Sequence, residues 1–159
     1  DKPSVYKQKK RLRALLHKHC DVDRMRLSTR TTTVGAVDWQ TGEYVTYSEA
    51  GDDYLEAVLA SSAFPVLFEP VTVRGRLLTD GGARNMSPIA DLVRDNVDVI
   101  DVLACSDPDL PQSWKPDGAS GWILRVLDLL TREVARNDYH VTDIKNSLLG
   151  MFFDQIRSK

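Results

Sequence analysis

The residues best suited to chemistry stand in the middle of the chain. Asp80 is followed at once by Gly81 and Gly82. The run before it has strand character. Paired glycines then let the backbone turn sharply, approach a ligand closely or aim amides at an oxygen. A carboxylate held at such a strand edge faces whatever fills the cleft. It can act as general base for a hydroxyl nucleophile within hydrogen-bond reach. The same triplet also closes ordinary turns, where the aspartate satisfies local amides. Other groups compete for a role. His17, His19 and Cys20 form H-K-H-C. Helical spacing puts His17 and Cys20 near one face, but a metal site needs further ligands that this pattern does not supply. Cys105 follows an apolar run with no base beside it, the setting of an inert thiol. His140, between Asp138 and Asp143, reads as a surface residue. Two cysteines this far apart form no disulfide framework, which suits a reducing compartment.

The elements that must position Asp80 follow from patterning. Leu12, Leu15 and Leu16 among basic residues predict a helix over 5–18. The β-branched stretch 31–37 predicts a strand, Gln40-Thr41-Gly42 a turn, and Tyr44 to Tyr47 the returning strand. Leu55, Val58 and Leu59 predict a helix over 52–61, with Asp52 or Asp53 as its cap. Phe64-Pro65 and Glu69-Pro70 end it. Val71 to Val73, Arg74-Gly75 and Arg76 to Thr79 form a second hairpin that delivers Asp80. Beyond it, Pro88 suits the first turn of a helix over 88–95 capped by Ser87. Val97 to Ala104 reads as a buried strand, and residues 107–120 have loop composition. Two amphipathic helical stretches close the chain. One carries Trp122, Ile123, Val126, Leu127, Leu130 and Val134. The other carries Val141, Ile144, Leu148, Leu149, Phe152 and Ile156. Their apolar faces could meet a membrane or a partner, Met151-Phe152-Phe153 especially, but packing against a sheet is their ordinary use. Strands alternating with helices give an α/β class.

Around Asp80 the residues form ordered blocks. Ala60-Ser61-Ser62-Ala63-Phe64-Pro65-Val66-Leu67-Phe68-Glu69-Pro70 precedes the second hairpin. Asp80-Gly81-Gly82-Ala83-Arg84-Asn85-Met86-Ser87-Pro88 follows it, and Ala36-Val37-Asp38-Trp39-Gln40-Thr41-Gly42-Glu43 stands upstream. Over residues 34–105 this resembles the patatin-like phospholipase family. That family shows A-S-x-A-x-P-x-x-F-x-P, a hairpin, then D-G-G/A-x-x-x-N-x-P, with a strand-turn-strand of the type A-T-D-x-x-T-G ahead of both. The resemblance implies a three-layer α/β hydrolase domain, a mixed sheet flanked by helices. It implies a lipid acyl hydrolase of esterase or phospholipase A type, acting on a lipid ester or phospholipid. Asp80 would be the base of a Ser–Asp dyad, with Gly81 and Gly82 completing its motif. No cofactor and no metal is implied, because backbone amides of a glycine-rich loop stabilise the oxyanion.

The family's nucleophile lies in a G-x-S-x-G elbow behind that glycine-rich loop. The chain contains neither. Its nearest string, Gly118-Ala119-Ser120-Gly121, is one residue short and on the wrong side of Asp80. Ser61 and Ser62 are expected to shape the floor of the site. Residues 1–159, which begin with Asp1 and not Met, are therefore expected to be the C-terminal portion of a single patatin-like domain. The serine would come from an upstream segment or a second chain, and this chain alone would be inactive. The alternative is a non-catalytic module on the same scaffold that binds lipid or a partner. The pattern identifies no substrate-binding residues.

Composition sets outer limits. With 159 residues, 42% apolar and 28% charged, the chain can bury one substantial core. No apolar run approaches the roughly 20 residues of a spanning helix, and no signal-type core opens the chain. A cytoplasmic or membrane-peripheral location is the resulting expectation. The net charge of −2 conceals a division. Residues 1–30 hold ten Lys/Arg and three Asp/Glu, while the remainder holds eleven and twenty. Lys7, Lys9, Lys10, Arg11 and Arg13 could meet phosphate at an anionic membrane surface or form a solvated helix face. No aromatic residues interleave with them as single-strand binding requires, so nucleic acid is not expected as a partner.

Overall fold

The structure is a computed structural model that describes residues 4–95, 97, 99–103, 115 and 118–157. It divides into two compact units, Asp1–Asn85 and Met86–Lys159.

The first unit is built on four strands: β1 (Thr33–Asp38), β2 (Tyr44–Ser48), β3 (Val71–Val73) and β4 (Arg76–Asp80). Their order is β2-β1-β4-β3, and all three described pairings are antiparallel. Both predicted hairpins form. The β3–β4 turn places Arg74 at φ 49° and Gly75 at φ 75°. Positive φ at both central residues is what a two-residue turn matched to strand twist demands, and glycine meets it without cost. The central pair sets Ala36 opposite Asp80 and Asp38 opposite Leu78. With a side-chain period of two, these four residues share one face of the sheet.

Helices α1 (Ser4–His19) and α3 (Tyr54–Ser61) contribute to the cover of that face, whereas α2 (Val22–Arg26) buries no residue. Leu59 and Ala60 of α3, with Ala63 just beyond it, pack against Ala36, Val71, Val73 and Leu78. Leu16 of α1 adds to the same cluster, and Arg13 reaches Glu56 of α3 at 2.7 Å. The caps differ from expectation. Asp53 holds the cap position of α3, yet its carboxylate engages Arg74, and Asp52 engages Arg26. Nearby guanidinium groups draw both side chains from the helix end. The short α2 has no apolar periodicity to announce it. Asp21 caps it by accepting from the Arg24 amide at 3.0 Å.

In the second unit, α4 (Ile89–Arg94) begins one residue later than predicted, with Pro88 in place of Ser87 at its cap. The Met86 and Ser87 amides instead donate to Asp138 Oδ2, at 2.9 and 3.0 Å. Asp138 belongs to α5 (Gly118–Arg157), which merges the two predicted terminal helices into one of 40 residues. No glycine or proline separates Trp122 from Leu149, so nothing in the backbone breaks the helix. Its apolar face is less covered than expected, with Trp122, Ile123, Val126 and Leu130 exposed. The predicted strand over Val97 to Ala104 is not found among the described residues. Val99 and Leu103 are 78% and 93% exposed. A strand exists only through its ladder, and these residues pair with no described strand. Of the loop predicted over 107–120, residues 107–114, 116 and 117 lie outside the described residues, and residues 118–120 belong to α5 instead. Among the described residues, no helix is long and apolar enough to cross a membrane.

Candidate active site

Asp80 closes β4 and caps a single 3-10 turn, Gly81–Ala83. Its position is fixed from three directions. Strand pairing sets it opposite Ala36. Its amide donates to the Ala63 carbonyl at 3.0 Å, and the buried Thr79 hydroxyl donates to the same oxygen at 2.5 Å. The block after α3 is thereby fastened to the strand end through Ala63, not through the serines beside it. The Ser62 hydroxyl donates to Val58 of its own helix at 2.9 Å. The loop beyond Asp80 folds back at once, the Arg84 and Asn85 amides both donating to the Gly81 carbonyl at 3.0 and 2.9 Å. Gly81 is buried against β1, and a Cβ on it would stand 2.5 Å from the Gly35 carbonyl oxygen. Only a glycine permits this approach.

The Asp80 carboxyl group is half-buried and accepts one hydrogen bond, from the Gly82 amide at 2.8 Å. It has no ion pair among the described residues. Burial, which disfavours the charged form, raises its proton affinity above the ordinary aspartate value, and the Gly82 bond offsets part of this. A carboxyl group so placed can accept a proton from a neighbouring hydroxyl and return it.

Asp38 has opposite surroundings. Its Oδ1 accepts the Gln40 and Thr41 amides at 2.9 and 3.2 Å, and its Oδ2 accepts Arg76 Nε at 2.7 Å. Arg76 also engages Glu43 across the β1–β2 turn. The Arg76 bond, then the Gln40 amide, hold the Asp38 carboxyl below the usual aspartate value. The third block around Asp38 therefore organises the hairpin that pairs with the Asp80 strand.

The remaining candidates do not converge on Asp80. His17 and His19 are exposed on α1 and Cys20 follows it half-buried. No cluster of His, Cys, Asp and Glu placed to hold a metal ion occurs among the described residues. His140 is exposed on α5, as expected, and Cys105 lies outside the described residues. Sequence reading missed Thr79 and the Ala63 carbonyl. A hydroxyl on a strand's buried face is a weak signal, and a carbonyl gives none.

Sheet, helices and strand-end carboxyl group define an α/β domain built around the junction at Asp80. Residues 6–93 match the profile of the family described as Patatin-like phospholipase, more than half of the chain. The chain belongs to that family. The match extends back through α1, which carries none of the motif residues. No curated protein matches the chain significantly.

Proposed function

We propose that this chain supplies the carboxylate base of a serine-dependent lipid acyl hydrolase, and that Asp80 is that base. The observation that carries the reading is the Asp80 carboxyl group itself. It is fixed at a strand end in a member of the patatin-like phospholipase family, held by one amide and raised in proton affinity by burial. Asp80 takes the proton of a serine hydroxyl as the oxygen attacks the ester carbonyl. It passes the proton to the departing alkoxide, and water then releases the acyl group from the serine. No G-x-S-x-G occurs in the 159 residues, so the serine comes from an upstream segment of a longer chain or from a partner chain. Residues 1–159 then form the C-terminal portion of one domain. The substrate is a lipid ester or phospholipid met in the cytoplasm or at a membrane surface. The missing elbow also favours a second reading, a lipid- or partner-binding module without catalysis.

One experiment separates the two readings. In the natural full-length protein, Asp80→Asn should abolish hydrolysis of a short-chain lipid ester while circular dichroism and thermal unfolding retain a folded protein. Hydrolysis that survives the substitution overturns the assignment of Asp80. A wild-type protein without hydrolysis, yet able to bind the lipid, is the module.

A further inference from the structure

Gly35 stands in β1 one residue before Ala36, the partner of Asp80. Two groups meet at it. Tyr44 of β2 lies opposite Val37, so its side chain leaves the same face of the sheet as Gly35 and can lean diagonally across the strand. It does so. A Cβ on Gly35 would collide with the Tyr44 hydroxyl oxygen and stand 2.5 and 2.7 Å from the ring atoms Cζ and Cε2. The half-buried ring thus occupies the place of the missing side chain. Gly81 approaches Gly35 as well, since a Cβ on Gly81 would stand 2.5 Å from the Gly35 carbonyl oxygen and 2.6 Å from its carbon. One residue of β1 therefore carries the Tyr44 ring and the first residue of the turn after Asp80.

This part of β1 needs support. Strand β4 ends at Asp80, opposite Ala36, so Thr33 to Gly35 have no partner in β4. The ladder stops just where Gly81 rests on the strand. An aromatic ring laid over a strand glycine from the neighbouring strand supplies the missing cover. The contacts run without a gap to the reactive group. Tyr44 meets Gly35, Gly35 meets Gly81, Gly81 follows Asp80, and the Gly82 amide holds the Asp80 carboxyl group at 2.8 Å. Resting on the reading of Asp80 as the base, we infer that Tyr44 is a positioning residue for it. The ring fixes Gly35 against Gly81, and this sets the direction in which the Asp80 carboxyl group meets the serine hydroxyl.

A misdirected base binds substrate as before but transfers the proton poorly, so the effect falls on turnover. In the natural full-length protein, kcat and KM are measured across pH for a short-chain lipid ester. Tyr44→Phe keeps the ring and should stay within about twofold of the wild type in both. Tyr44→Ala should lower kcat about tenfold to a hundredfold, the scale of a small displacement of a reacting group, and leave KM nearly unchanged. The acid limb of its profile should also move to lower pH. Burial is the larger influence on the Asp80 carboxyl group, and a loosened turn admits water to it. Tyr44→Leu, which fills part of the volume without a plane, should fall between and replaces Tyr44→Ala if that variant does not fold. An unchanged kcat overturns the inference and leaves the hydrolase reading standing. So does a kcat that falls together with the thermal midpoint while the acid limb stays in place, for Tyr44 then serves packing alone. A Tyr44→Phe variant as slow as Tyr44→Ala also overturns it, because the hydroxyl and not the ring would be at work. A wild type without hydrolysis, or with hydrolysis that survives Asp80→Asn, ends the hydrolase reading and the inference with it.

Discussion

Asp38 and Asp80 end two hydrogen-bonded strands and share one face of the sheet, yet the fold treats them in opposite ways. Asp38 receives two backbone amides and a guanidinium, and its charged form is favoured. Asp80 receives one amide, and burial favours its neutral form. The first is committed to holding a hairpin together and has little capacity left to accept a proton. The second has that capacity and a fixed direction. Residue type and strand position are common to both, so the number of donors around each carboxylate separates scaffold from candidate chemistry.

The contrast fails if the two aspartates prove interchangeable. In one lipid ester assay on the natural full-length protein, Asp80→Asn should reduce the rate by about 10²–10⁴-fold, the usual range for losing a general base. Asp38→Asn should leave activity above that level while lowering the midpoint of thermal unfolding. Equal losses of activity at unchanged stability would remove the distinction. The next effect concerns how Asp80 is held. Gly81→Ala forces a Cβ to 2.5 Å from the Gly35 carbonyl oxygen, and denaturant unfolding should show a loss of about 1–3 kcal/mol. Thr79→Val removes one donor to Ala63 and leaves the Asp80 amide as the other. It should cost about 1 kcal/mol, largely restored by Thr79→Ser.

The smallest and most discriminating effect is on stability against pH. Asp80 has a raised value, so its native state binds protons more readily than its unfolded state. Its contribution is complete below the unfolded value and is lost as pH rises through the folded one. Asp80→Asn should therefore unfold at a higher denaturant concentration than wild type near neutral pH, a gain that vanishes under acid. Asp38 has a lowered value, so its contribution is present above the unfolded value and lost as pH falls through the folded one. Asp38→Asn should be less stable than wild type near neutrality and converge with it in acid. Denaturant curves across that window check both signs.

Some features were legible because their causes are local. The Arg74-Gly75 turn, both hairpins and α1 depend on neighbouring residues, and each forms. Other features depend on what lies alongside. Val97 to Ala104 has a strand's composition, yet its described residues have no strand partner among the described residues. The break expected between the two terminal stretches of α5 does not occur, since polar residues alone do not stop a helix. Neither cap residue of α3 could be judged without knowing that Arg26 and Arg74 would reach Asp52 and Asp53.

The order of residues by itself determined the family, through the blocks ending at Glu43, Pro70 and Pro88, and it singled out Asp80. Motifs of this kind are read from side-chain identity and spacing, which need no coordinates. Tertiary structure alone decided how Asp80 differs from Asp38. Burial, donor count and ion pairing are properties of groups brought together from distant parts of the chain. Ala63, Thr79 and Asp80 meet only because β4 returns beside the end of α3. Arg76 can take both Asp38 and Glu43 only because two hairpins lie edge to edge.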